Sequence, residues 1–177
     1  MLIYDLKDGQ KICIRRAQES DSKELVSMSI KMGGESDNLT FGIDDYYLTD
    51  DQHKILISNI KQRDNCLYIV AVLNNKIVGS LSFLAFQRRR MMHRGDLGIA
   101  VLKDYWSLGI GTALMDYFFK WAYSNGTIKK IDLQVREDNI TAINLYNKFG
   151  FKIEGKISRG MNVDNKYYDI YYMGKNI

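Results

Sequence analysis

The stretch DLGIAVLKDYWSLGIGTALMDYFFKWAYSNG, residues 96–126, decides the fold, because it joins a strand, a glycine loop and a helix without interruption. Leu97, Ile99 and Val101 recur with the period of two that is typical of a strand. After the loop, apolar residues recur with the spacing of an amphipathic helix that ends at Asn125-Gly126. These are Ile110, Ala113, Leu114, Tyr117, Phe118 and Trp121. The stretch therefore predicts a strand that turns directly into a helix.

Gly109 and Gly111 stand where that helix begins. The N-terminus of a helix presents unpaired N–H groups at its positive end, and a residue without a Cβ lets the backbone approach a phosphate closely. The known phosphate loops do not fit. A dinucleotide-binding loop would need glycine at position 114, which is Leu114. A P-loop would need Lys-Ser/Thr directly after Gly111, where the chain has Thr112-Ala113. The loop predicts a phosphate site of another kind.

Composition limits the class of protein. The chain has 177 residues, 46% of them hydrophobic and 26% charged, without a low-complexity or long apolar tract, so we expect one soluble domain spanning residues 1–177. Its first residues lack the pattern of a signal peptide. Cys13 and Cys66 each lie in a β-like run, and His53 and His93 are isolated, so we expect reduced thiols, a cytoplasmic location and no metal site.

Turn and capping signals extend the pattern along the whole chain. They predict an N-terminal hairpin turning at Asp8-Gly9, a helix ending at Gly33-Gly34, a helix from the Thr49/Gln52 capping box through Ile60, a hairpin turning at Asn74-Asn75, a strand at KIDLQV, a helix from Asn139 to Phe149, and two last strands around Asp164-Asn165. Strand-to-helix crossovers need parallel pairing and hairpins need antiparallel pairing, so we expect an α/β fold with a mixed sheet.

A second motif, NITAINLYNKFGF at residues 139–151, completes the pattern. Together with DLGIAVLKDYWSLGIGTALM it resembles the GCN5-related N-acetyltransferase (GNAT) family, and the resemblance extends from about Ile12 to Met173. It implies an α/β (α+β) fold of three layers. The mixed, mostly antiparallel sheet would have about seven strands with a central splay, flanked by about four helices.

The resemblance also implies acetyl-CoA as cosubstrate, with no metal. The loop amides from Leu108 to Thr112 would bind its pyrophosphate, and the main chain of Ile99 and Val101 would bind the pantetheine arm. Trp106 departs from the family pattern, which has Arg or Gln there. The implied cofactor-binding residues are Leu97, Ile99, Val101, Trp106, Ser107, Leu108, Gly109, Ile110, Gly111, Thr112, Asn139, Ala142, Leu145 and Tyr146.

Acetyl transfer to a protonated amine needs a base for the ammonium and an acid for the leaving thiolate. Tyr146 matches the general acid of the family, the alternative being a tyrosine packed only with Ile143 and Phe149. Asp96 is the first candidate for the base, and a strand-end carboxylate paired with Arg94 is the alternative. Glu35 is the second candidate.

Charge is unevenly distributed along the chain. Residues 33–52 contain six acidic and no basic residues, which leaves 25 basic and 15 acidic residues elsewhere. The acidic segment would attract a cationic substrate, or it is a solvated loop. The basic segment QRRRMMHR, residues 87–94, is a solvated hairpin tip in preference to a nucleic-acid patch.

These observations favour an N-acetyltransferase that acts on a primary amine by direct attack in a ternary complex. The amine would be a small amine, a polyamine or a protein N-terminus, since the C-terminal segment resembles ribosomal-protein N-terminal and spermidine acetyltransferases. A non-catalytic acyl-CoA sensor and an enzyme that acetylates aminoacyl-tRNA are the alternatives. We expect no membrane partner, and the family suggests a homodimer.

Overall fold

The computed structural model describes residues 1–46 and 48–177. Its strands and helices, in chain order, are β1 (Leu2–Asp5), β2 (Lys11–Arg16), α1 (Ser22–Glu35), α2 (Asp50–Lys61), β3 (Leu67–Leu73), β4 (Lys76–Ala85), β5 (Arg94–Val101), α3 (Ile110–Asn125), β6 (Lys130–Arg136), α4 (Ile140–Lys148), β7 (Lys152–Val163) and β8 (Lys166–Asn176). Short 3₁₀ turns cover Glu19–Asp21 and Lys103–Tyr105. None of the described helices is long and apolar enough to cross a membrane.

The described strands form one sheet in the order β1-β2-β3-β4-β5-β6-β8-β7. Every neighbouring pair is antiparallel except β5 and β6, which confirms the predicted mixed, mostly antiparallel sheet. The sheet has eight strands and not about seven, because the hairpins at both ends of the sequence pair into it.

Strand β3 shows that helices cover both faces of this sheet. Ile69 belongs to the core cluster that contains Phe118 of α3, whereas its neighbour Val70 belongs to the cluster that contains Leu25 of α1 and Ile57 of α2. Successive side chains of a strand point to opposite faces. Helix α3 therefore covers one face, with α4 packed on the same cluster, and α1 and α2 cover the other. The predicted three layers are confirmed.

Strand β5 separates from β6 in the middle of the sheet. It pairs with β4 from Gly95 to Val101, but with β6 only over its first three residues, ending at Asp96. Beyond that residue the two parallel strands diverge. This opening is the predicted splay, and it places a free strand edge beside the N-termini of α3 and α4.

The prediction that Gly33-Gly34 ends α1 is wrong, since the helix continues to Glu35. A Cβ on Gly33 would lie 2.5 Å from the carbonyl oxygen of Gly42, and one on Gly34 would lie 3.1 Å from the Ile43 side chain. The absence of a Cβ at these two glycines therefore lets the loop between α1 and α2 pack closely against the helix.

The local signals elsewhere are confirmed. Thr49 and Gln52 form the predicted capping box of α2. The predicted hairpin turns at Asn74-Asn75 and Asp164-Asn165 adopt positive φ at both residues. Cysteines 13 and 66 are free thiols.

Candidate active site

A cavity of about 830 Å³ occupies the opening between β5 and β6. Residues from β4 and β5, the loop before α3, α4 and the loop between α1 and α2 line it. All the predicted site residues line this cavity except Leu108, whose side chain packs partly buried against the core. Residues that lie up to 111 positions apart in the sequence, from Glu35 to Tyr146, therefore contribute to one space.

The free edge of β5 presents main-chain hydrogen-bonding groups to the cavity. The Leu102 N–H donates to the Val78 carbonyl at 2.9 Å, and this bond continues the antiparallel β4–β5 ladder. In such a ladder, alternate residues direct their N–H and C=O groups to opposite sides. Ile99 and Val101 therefore direct theirs away from β4, toward the side on which β6 has separated.

The Trp106 side chain forms a hydrogen bond with one of these main-chain groups. Its indole Nε1 donates to the Val101 carbonyl oxygen at 2.7 Å, although nearly half of the side chain is exposed. The tryptophan folds back along the end of β5 and takes an acceptor that the resemblance assigns to pantetheine. The main chain of Ile99 has no such side-chain partner among the described residues.

The N-terminus of α3 opens onto the same cavity. Gly109 adopts φ +99°, and the described residues give this helix end neither a side-chain cap nor an acidic residue in its first turn. The first N–H groups of a helix have no partner within the helix, and they carry its positive dipole end. At Gly111 a Cβ would lie 3.2 Å from the Leu145 side chain of α4, so glycine lets the two helices approach.

Helix α4 carries two predicted site residues. Asn139 caps it by accepting from the Ala142 N–H at 3.2 Å. Tyr146 is 6% exposed, packs on Phe151 with ring centroids 5.9 Å apart, and still lines the cavity. Burial raises the pKa of its phenol to about 12, so the hydroxyl stays protonated at physiological pH. The packing alternative and the acid role are therefore compatible.

Asp96 lies where β5 and β6 separate, and its carboxylate is not paired with Arg94. That alternative is wrong, because the Arg94 guanidinium binds Asp132 of β6 through Nε and Nη2, both at 2.8 Å. No described side chain forms an ion pair with Asp96. Desolvation, followed by the charge of Asp132, raises the pKa of Asp96, although Arg94 opposes this shift.

Glu35 also lines the cavity, but its carboxylate is engaged. One oxygen accepts from the Lys103 N–H at 2.8 Å, and the other lies 3.2 Å from the Lys31 ammonium. These contacts attach the end of α1 to the turn that follows β5. Of the two carboxylates proposed as bases, only Asp96 has no such partner among the described residues.

The loop between α1 and α2 and the first turn of α2 add polar groups that the sequence motifs did not indicate. Asn38 and His53 both line the cavity, and the Asn38 side-chain oxygen is buried without a hydrogen-bond partner among the described residues. His53 Nε2 lies 3.3 Å from the Tyr68 hydroxyl, and burial lowers the pKa of the imidazole. The spacing of His53 with Ile57 and Ile60 of α2 is the signal that places it on a buried face.

The charges of the cavity walls are segregated. Among the described lining residues, Glu35 and Asp96 carry negative charge, and Lys7 is the only lysine or arginine. Lys7 lies beside Gly109, at the end where α3 begins. The arginines of the β4–β5 turn, Arg88 to Arg90, are exposed and line no part of this cavity.

Residues 36–151 match the acetyltransferase (GNAT) family. An L-amino acid N-acetyltransferase from Escherichia coli is 32% identical over 66% of this chain and 72% of its own length. An acetyltransferase of the GNAT family from Streptococcus pneumoniae has 36% identity and a TM-score of 0.91 over 94% of this chain and 99% of that one. A phosphinothricin acetyltransferase from Sinorhizobium meliloti, solved in complex with AcCoA, shares the fold at 15% identity and a TM-score of 0.80, over 94% of this chain and 88% of its own. The chain therefore belongs to the acetyltransferase (GNAT) family.

Proposed function

We propose that this protein is an acetyl-CoA-dependent N-acetyltransferase that acts on a primary amine by direct attack in a ternary complex. The observation that carries the proposal is that Asp96 and Tyr146 line one cavity with the free edge of β5 and the uncapped N-terminus of α3. A strand edge suits the amide groups of pantetheine, and a helix N-terminus with glycines suits a pyrophosphate. We take residues 1–177 as one such domain, since both terminal hairpins join the same sheet.

Asp96 is the proposed base. Acetyl-CoA supplies the acetyl group as a reactive thioester, but the amine must lose a proton before its nitrogen can form the amide bond. The Asp96 carboxylate takes this proton directly or through one water. Its raised pKa makes it a better proton acceptor than an ordinary aspartate. Lys31 and the Lys103 N–H already hold the oxygens of Glu35, so we do not assign it the proton transfer. Its negative charge would help to attract a cationic amine to the cavity.

Tyr146 is the proposed acid. Breaking the thioester leaves a thiolate whose conjugate acid has a pKa of about 8.5. The Tyr146 hydroxyl, with a pKa near 12, is protonated whenever the thiolate forms and can hold or donate a proton at the sulfur. Its partial contact with the cavity gives it access, and its packing on Phe151 fixes the ring.

The charge distribution supports a cationic acceptor without a carboxylate next to its amine. Asp96 and Glu35 are the acidic residues among the described lining residues, and their negative charge favours an ammonium group in the cavity. A substrate carboxylate would meet no described lysine or arginine in the cavity other than Lys7. That residue lies beside Gly109, where α3 begins, and not beside Asp96. Amines, polyamines and peptide N-termini are therefore better candidates than free amino acids.

Release of free thiol from acetyl-CoA, with catalytic amounts of protein, tests this function. The panel should pair each free amino acid with its amide and add polyamines, short peptides and an amine-free blank. We expect turnover above the blank, and faster turnover with the amide than with the acid of each pair. Tight binding of acetyl-CoA without turnover on any acceptor would contradict the proposal and favour an acyl-CoA sensor.

A further inference from the structure

The turn between β1 and β2 is attached to the glycine loop that precedes α3. The Lys7 N–H donates to the Leu108 carbonyl at 3.1 Å, and the Lys7 Cγ lies 4.0 Å from the position that a Cβ on Gly109 would take. Leu6, the preceding residue, is 6% exposed and belongs to the core. A buried residue and a main-chain hydrogen bond thus hold the base of the lysine beside the loop.

The Lys7 side chain has no ion-pair partner among the described residues, although another lysine of the same hairpin has one. Lys11, in the next strand of the same hairpin, lies 3.8 Å from Asp5. Lys7 is also the only described lysine or arginine that lines the cavity. An unpaired ammonium next to an uncapped helix N-terminus concentrates positive charge at one end of the cavity.

We propose that the Lys7 ammonium binds a phosphate group of coenzyme A and supplies the only lysine or arginine charge that the described residues place in this cavity. The inference rests on the proposed use of acetyl-CoA. The indole N–H of Trp106, the only polar group of its side chain, donates to the Val101 carbonyl and is not free to bind a phosphate. The neighbouring hairpin brings a cation to the same loop from a distant part of the sequence. An ammonium forms charge-assisted hydrogen bonds with phosphate oxygens.

The test is equilibrium binding of coenzyme A, 3′-dephospho-coenzyme A and pantetheine by calorimetry, without turnover. For Lys7→Gln we expect coenzyme A to bind about 5- to 10-fold more weakly than to the wild type, as for an exposed pair of charges. The loss should shrink at high salt. Pantetheine, which has no phosphate, should bind both proteins equally. Lys11→Gln is the matched control and should leave all three affinities unchanged.

The two phosphate sources are separated by 3′-dephospho-coenzyme A. A loss that persists with this ligand assigns Lys7 to the pyrophosphate, and a loss that disappears assigns it to the 3′-phosphate. Lys7→Arg keeps the charge and should retain the affinity. Equal binding of coenzyme A to wild type and Lys7→Gln, or an equal loss with pantetheine, would overturn the inference and leave the proposed function standing. Failure of the wild type to bind coenzyme A would overturn both.

Discussion

Asp96 and Asp132 are opposite each other at the last paired position of the parallel strands β5 and β6, but among the described residues only Asp132 has cationic partners. Arg94 binds the buried Asp132 carboxylate at 2.8 Å, and Lys130 lies 3.4 Å from its other oxygen. Burial and then the negative charge of Asp132 raise the pKa of Asp96, and the charge of Arg94 opposes this shift without cancelling it. One strand register thus places a carboxylate with cationic partners beside one that has none among the described residues.

Asp96→Asn should lower kcat/KM for the amine roughly 100-fold at neutral pH, since a positioned base contributes about that much or more. The deficit should shrink as the pH approaches the pKa of the amine, because an amine that is already deprotonated needs no base. A pH profile of kcat/KM from pH 6 to 10 measures this. A variant that stays within threefold of the wild type at every pH would remove Asp96 from the mechanism.

The same substitution should not lower the free energy of unfolding at neutral pH. The pKa of Asp96 is raised in the folded state, so the folded protein binds the proton more tightly, and stability declines as the pH rises from the ordinary carboxyl pKa through the raised one. Removing the charge therefore removes a cost. Asp132→Asn is the contrast: it leaves Arg94 without its partner and should cost about 1–3 kcal/mol in urea unfolding.

Tyr146→Phe should lower kcat by roughly 100-fold and leave acetyl-CoA binding unchanged. Because the pKa of Tyr146 is about 12, the loss should be the same at every pH below about 10. Stability should not fall, since the described residues offer its hydroxyl no hydrogen bond to lose. Steady-state kinetics and calorimetry separate the two effects. Tyr123→Phe, on an exposed residue of α3, is the control, and an equal loss in that variant would refute the assignment.

The strands, helices and turns could be predicted because their signals are local. Asn74-Asn75, the Thr49 capping box and the apolar spacing of α3 each depend on residues within a few positions of one another. The end of α1 could not be predicted in this way. Gly33 looks like a helix terminator, but its function depends on Gly42, which folds back from the following loop.

The parts of the candidate site that lie in a sequence motif could be predicted. Ion pairs between side chains from different strands could not, because they depend on how the strands pair. The glycines of the α3 loop and Tyr146 of α4 follow from their motifs. Whether Arg94 pairs with Asp96 or with Asp132, which lies 38 positions after Arg94, depends on the register of β5 and β6. Lys7 has no motif at all, and only the packing of the first hairpin brings it to the site.

Gly109 and Gly126 permit a matched test at the two ends of α3. Both have positive φ, +99° and +77°, so alanine should cost each variant about 1–2 kcal/mol of stability. Only Gly109 lies on the loop proposed to bind phosphate. Gly109→Ala should therefore weaken coenzyme A binding about 10-fold or more, as expected for the loss of one charge-assisted hydrogen bond, and Gly126→Ala should not. Equal affinities in the two variants would contradict a role for this loop.

Gly33→Ala tests whether the loop between α1 and α2 positions the acceptor. The new Cβ would lie 2.5 Å from the Gly42 carbonyl oxygen, so the loop backbone must shift. Asn38 and Phe41 of this loop line the cavity, and a displacement of about 1 Å can strongly affect catalysis. We expect KM for the amine to rise roughly 10-fold, while KM for acetyl-CoA stays constant, because β5 and the α3 loop keep their positions. Gly155→Ala, which has open space around it, is the control. A parallel rise in both KM values would show that the loop supports the whole cavity and does not select the acceptor.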